Sequence, residues 1–173
     1  MDRRQGKTRK AILQAFDEIL SEKSVDKITV TEIADLADIG KSTFYTHFET
    51  KEHLIQYICQ DFFHHLKESE YSDRYPDLEQ MLLHLLLHIY DEKNHILRLI
   101  KEENQICNHF FISYLDDVFV KYLHVDMEVN EVFARNHIVA SFISALRWHI
   151  NNPKILSLEK LVQDFIQLNG ILL

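Results

Sequence analysis

Between Gly40 and Gly170 the chain contains no glycine, and Pro76 and Pro153 are its only prolines. Three glycines and two prolines in 173 residues leave little material for hairpins or sandwich corners. This shortage favours an all-α chain. A hydrophobic share of 46% and a charged share of 27% suit a soluble globular protein, with enough apolar material for one sizeable core or for a small module on a larger one. No run of about 18 apolar residues suggests a membrane span. The basic start, Met1–Lys10, leads into an amphipathic pattern rather than the apolar core of a signal peptide. Cys59 and Cys107 match no metal spacing and imply no disulfide framework, so a reducing cytoplasm is the expected setting.

Ile12, Leu13, Phe16, Ile19 and Leu20 recur at helical spacing and predict a first helix over about residues 7–22. Thr29-Val-Thr-Glu32 reads as a capping box opening a short helix whose buried stripe is Ile33, Ala34 and Ala37. Asp38-Ile39-Gly40 interrupts it, and a second short helix runs from about Lys41 to His47. Thr50 then caps a longer helix carrying Leu54, Ile55, Ile58 and Phe62. Tyr71 to Pro76 is the best linker. Further helices are predicted over about 77–91, 95–102, 105–124 and 131–150, with Asn130 capping the last of these, and a final one from Ser157. The expected architecture is a three-helix head, residues 1–50, on a helical body, residues 51–173.

Two short helices joined by a tight turn, with a supporting helix before them, form a helix-turn-helix. The second helix of such a unit enters the major groove of DNA by its N-terminal residues. Lys41, Ser42 and Thr43 stand there with donors and acceptors suited to base edges. Phe44 and Phe48, four apart, face the head's own core. Tyr45 and His47 lie near the helix end, where hydroxyl and imidazole suit phosphate oxygens. Lys51 adds a positive charge at the next helix start, and Thr29 and Thr31 open the preceding helix in the same way. Charge narrows the choice of surface. Residues 1–50 carry 8 Lys/Arg against 9 Asp/Glu, whereas residues 51–173 carry 11 against 18. The acidic body would repel DNA, so contact falls to the head, which holds Arg3, Arg4, Lys7, Arg9 and Lys10.

Thr29-Val-Thr-Glu-Ile-Ala-Asp-Leu-Ala37, Ile39-Gly-Lys-Ser-Thr-Phe-Tyr-Thr-His-Phe48 and Lys51-Glu-His-Leu54 together resemble the signature of the TetR family of transcriptional regulators. The resemblance covers about residues 8–58. It implies an all-helical homodimer with N-terminal DNA-reading heads and a body that dimerises and often binds a small effector. It also implies that Thr29, Thr31, Thr43, Tyr45, His47 and Lys51 contact phosphates, and that Lys41 and Ser42 read bases. Three positions depart from the pattern. Asp38 replaces the usual turn glycine, Gly40 the usual serine cap, and Thr46 an often basic residue. The body is loosely similar to TetR-type regulators linked with dihydroxyacetone-kinase operons, in which a partner protein can take the effector's place.

Phe142, Ile143 and Leu146, with Leu161, Phe165 and Ile166, offer wide apolar stripes on the last two helices. Two such hairpins about a twofold axis would form a four-helix dimer interface; alternatively the stripes close the monomer's own core. A twofold protein implies a palindromic operator. The helix Leu78–Tyr90 is apolar nearly all round, which predicts a central, buried position. Its Met81, His84 and His88 share a stripe. Metal binding there lacks a third ligand nearby, so the histidines are satisfied core residues or the polar tips of an effector pocket completed by Phe62, Phe110 and Tyr114. An enzyme is not expected. Glu92-Lys-Asn-His95 is the one Glu-x-x-His pair where a di-iron bundle needs two, and no phosphate loop, nucleophile elbow or zinc-protease motif is present. No cofactor is implied. The expected partners are operator DNA, a second copy of the chain, and a small effector or a partner protein. Repression with effector release is the expected mode; an activator, or an interaction module that works through a partner protein and binds DNA only weakly itself, is the alternative.

Overall fold

The computed structural model describes residues 3–70, 75–91, 95–122 and 129–170, and among these it contains α-helices, one 3-10 turn and no strand. The helices are α1 (Arg3–Glu22), α2 (Val30–Leu36), α3 (Lys41–His47), α4 (Lys51–Glu70), α5 (Leu78–Ile89), α6 (Ile96–Lys101), α7 (Gln105–Tyr122), α8 (Glu131–Asn151) and α9 (Leu158–Leu168); the 3-10 turn is Val25–Lys27. Side chains at the predicted caps do the capping. Thr29, Asn130 and Ser157 accept bonds from the third helical N–H of α2, α8 and α9. α1 starts a turn earlier than the apolar spacing marks, because Arg3, Arg4 and Gln5 favour helix without adding to the stripe and outweigh the cost of Gly6. The linker predicted over 71–76 lies outside the described residues except for Tyr75 and Pro76. No helix among the described residues is long and apolar enough to cross a membrane.

Contacts divide the chain into two compact units. The first holds Met1–Asp61 with Glu92–Cys107, the second Phe62–Asp91 with Asn108–Leu173. The unit that contains the two short helices therefore takes in α6 and extends beyond residue 50. In it α1 packs on α2 and α2 on α3, around buried Ile12, Phe16, Ile33, Phe44, Phe48 and Leu54. α6 adds buried Ile96, Leu99 and Ile100. Its N-cap, His95, pairs with Asp17 of α1 and meets the Phe16 ring edge-on at 6.3 Å.

In the second unit α9 packs on α5 and α8. Phe119, Phe142 and Phe165 meet at centroid distances of 5.1 to 6.4 Å, within the range for favourable aromatic pairs. α5 corrects one expectation. Leu78, Met81, Leu82, Leu85, Leu86 and Ile89 are buried, but Leu87 and His88 are exposed, so the helix is not enclosed on all sides.

Burying His149 in this apolar surround requires partners for both ring nitrogens. Nε2 lies 3.0 Å from the Leu156 carbonyl and Nδ1 lies 2.6 Å from the Tyr90 hydroxyl. A carbonyl only accepts, so the proton sits on Nε2 and Tyr90 donates to Nδ1. The neutral tautomer thus joins the end of α5, the end of α8 and the loop before α9. Burial pushes the Tyr90 hydroxyl up to about 12, which keeps it a donor. Tyr90→Phe strands a buried acceptor and is expected to cost about 1–3 kcal/mol in urea denaturation, with little change in helicity.

Candidate nucleic-acid interface

The site is assembled by caps. At the start of α2 the Thr29 hydroxyl donates to the Glu32 carboxylate at 2.8 Å, while the Glu32 N–H donates back to the hydroxyl at 3.3 Å and the Thr29 N–H to the carboxylate at 3.0 Å. Lys23 pairs with the same carboxylate. Hydrogen bonding to Lys23, then to Thr29, holds Glu32 down to about 2. Thr29 is therefore engaged in the cap, though exposed, and Thr31 beside it is exposed.

The turn after α2 is a Schellman motif. The Asp38 N–H donates to the Asp35 carbonyl at 3.2 Å and the Ile39 N–H to the Ala34 carbonyl at 3.0 Å. Closing both bonds requires the left-handed conformation at Asp38, whose φ is 53°. Aspartate adopts it more readily than most residues, so the missing turn glycine leaves the geometry intact. Gly40 caps α3 with φ −71° and ψ 149°, a conformation open to any residue, and contributes no side-chain bond.

α3 has two turns. Phe44 and Phe48 are buried, and the Phe48 ring packs against His53 at 5.9 Å and Tyr57 at 5.6 Å. The guanidinium of Arg9 lies 5.3 Å from the centre of the Tyr57 ring. With this anchorage behind it, α3 leaves Lys41, Ser42 and Tyr45 exposed, and Thr43 and His47 half-buried. The Thr46 hydroxyl donates to the Ser42 carbonyl at 2.9 Å, so this departure from the family pattern turns back onto its own helix. Lys51 behaves differently from the others. It is half-buried and its ammonium donates to the Val25 carbonyl at 2.9 Å. Sequence alone carried no signal for that bond, since 26 positions separate the partners.

The other candidate residues all lie in the second unit. Met81 and Tyr114 share the wall of a cavity of about 20 Å³ with Lys67, Asp117 and Val118, room for a water-sized group. His84 stacks on Tyr75 at 4.6 Å and meets His88 edge-on at 4.3 Å. Burial, then the neighbouring His88, lowers the His84 pKa. Phe62 and Phe110 are half-buried; the enclosed aromatics are their neighbours Phe63 and Phe111, stacked at 5.8 Å, with Tyr114 5.4 Å from Phe63. Of the six, Met81 and Tyr114 share that cavity wall.

The residues offered for a dimer surface need correction. Phe142, Ile143, Leu146 and Ile166 are buried by the protomer's own packing, so they close its core. Leu161 and Phe165 are buried too, but also floor a groove of about 670 Å³ between α8 and α9. That groove is walled by Ala140, Ser141, Ser144, Ala145 and Trp148. The signal for it was the run of small residues at helical spacing opposite the phenylalanine stripe.

A family model for bacterial regulatory proteins of the tetR family matches residues 12–58. The crystal structure of a TetR transcriptional regulator from Streptococcus agalactiae 2603V is 30% identical, with a TM-score of 0.85, covering 97% of this chain and 96% of that one. The HTH-type dhaKLM operon transcriptional activator DhaS of Lactococcus lactis is 28% identical over 168 residues, 93% of this chain and 88% of that protein. A solved structure of the dihydroxyacetone kinase operon activator DhaS shares the fold, with a TM-score of 0.65 at 23% identity, covering 94% of each chain.

Asp38→Gly tests the turn. Relief of the left-handed strain is expected to stabilise the protein by about 0.5–1 kcal/mol in thermal denaturation, net of the greater freedom of glycine in the unfolded chain.

Proposed function

The chain belongs to the TetR family of bacterial transcriptional regulators, and on that footing we propose that it binds a palindromic operator as a homodimer and represses transcription until an effector releases it. The observation that carries the DNA reading is α3 itself: an apolar back sunk into the head, and a front of Lys41, Ser42 and Tyr45 turned to solvent. Lys41 and Ser42 read base edges; Thr29, Thr31, Thr43, Tyr45 and His47 contact phosphates, and Lys51, bonded to the Val25 carbonyl, adds a phosphate contact through its remaining N–H donors. Titrating the protein against the DNA upstream of its own gene tests this. Affinity is expected to fall steeply with salt, and Lys41→Ala is expected to weaken binding roughly five- to 150-fold, a loss of about 1–3 kcal/mol. No binding at low salt, or binding indifferent to salt, overturns the reading.

The second copy docks on the α8–α9 groove, where small residues allow close approach and Trp148 and Leu168, 44% and 85% exposed, supply apolar contact. Trp148→Glu is expected to give monomers in sedimentation at micromolar concentration and to lose operator binding. A Trp148→Glu protein that still sediments as a dimer rules out this face.

The effector acts on the second unit, at Phe62, Met81, His84, His88, Phe110 and Tyr114. A metabolite enters there only by enlarging the cavity at Met81 and Tyr114. An activator, or a module working through a partner protein, is the second reading, and the observation favouring it is the likeness to a DhaS named as a transcriptional activator. Transcription in vitro from the chain's own promoter separates the two by sign.

A further inference from the structure

α6 contributes more to the first unit than apolar packing. At its end Glu102 is four-fifths hidden, and its carboxylate accepts two bonds from the turn between α1 and α2. The Val25 N–H donates at 2.8 Å and the Ser24 hydroxyl at 3.0 Å, both to Oε2. Its other oxygen lies 3.9 Å from Nε of Arg98, one turn back on α6. At the other end of the same residue, the Lys51 ammonium donates to the Val25 carbonyl. Val25, the first residue of the 3-10 turn, is thus held at its N–H by a carboxylate from α6 and at its carbonyl by an ammonium from the start of α4. The end of α6 is itself fixed by a second Schellman motif, with Glu103 left-handed at φ 55° and the Asn104 N–H bonded to the Leu99 carbonyl at 3.0 Å.

We propose that Glu102 is a positioning residue for DNA binding: through Ser24 and Val25 it fixes the turn that sets where α2 begins, and hence the placement of Thr29, Thr31 and the helix-turn-helix. Charge-assisted bonds of this kind are the stronger ones in a protein, and here they add to the buried side chains of Val25 and Ile28 in fixing the turn. The inference rests on the DNA-binding reading above, and the two fail separately.

Charge alone predicts the opposite sign. Removing a carboxylate from a chain of net charge −8 should strengthen DNA binding. If Glu102 positions the turn, Glu102→Ala weakens operator binding, roughly tenfold, while the slope of log affinity against log salt stays unchanged because no cation is lost. Glu102→Gln keeps an acceptor oxygen and is expected to bind as well as the parent or better. Ser24→Ala removes one bond and is expected to fall between. Amide hydrogen exchange on the full chain, without DNA, reads the same device directly: exchange at Val25 and through α2 should rise roughly tenfold in Glu102→Ala and stay near the parent in Glu102→Gln. Unchanged exchange at Val25 in Glu102→Ala overturns the proposal whatever the DNA result. So does a Glu102→Ala protein that binds as tightly as the parent, or a Glu102→Gln as weak as the alanine. A parent protein that binds no DNA removes the function reading and with it the role in binding.

Discussion

A helix of two turns has too few internal hydrogen bonds to persist in water, because nucleation costs more than so short a run returns. α3 exists because Phe44 and Phe48 are buried behind it. The rest of the head follows from that requirement. α1 and α2 supply the apolar floor, the Schellman turn at Asp38 delivers the chain at the right angle, and Tyr57 of α4 closes over Phe48. Polar residues are left on the front by subtraction, since every apolar side chain of α3 is used in holding it.

The second unit answers to a different constraint. Its helices are longer than α3, and the difficulty lies more in placing polar groups among them. His149 shows the solution: a ring whose two nitrogens meet one donor and one acceptor, so that its burial strands no polar atom. The phenylalanines of α7, α8 and α9 then pack against one another within the protomer, which leaves small residues to face outward along α8.

Much of this was legible in the sequence, and the legible part was local. Thr29, Asn130 and Ser157 are caps three residues from their partners, and the sparse glycines and prolines announced helices throughout. Asp38 could be read as left-handed because aspartate tolerates that conformation; Glu103 could not, because nothing in its side chain favours it. Periodicity identified apolar helices but not which of two adjacent aromatics turns inward, so Phe62 and Phe110 stood in for Phe63 and Phe111. The same limit made the Phe142 stripe look like an interface. Bonds such as Glu102 to Val25 depend on tertiary approach and leave no mark at any fixed spacing.

Arg9 and Lys51 bear on how charge is counted in such a head. Both are cations in the sequence, yet one lies against an aromatic face and the other is bonded to a carbonyl. A basic side chain committed to its own protein displaces fewer counterions when a polyanion arrives. The inventory of lysines and arginines therefore overstates the electrostatic reach of this head, and more of its affinity for DNA must come from hydroxyls, backbone placement and the fit of α3 to the groove.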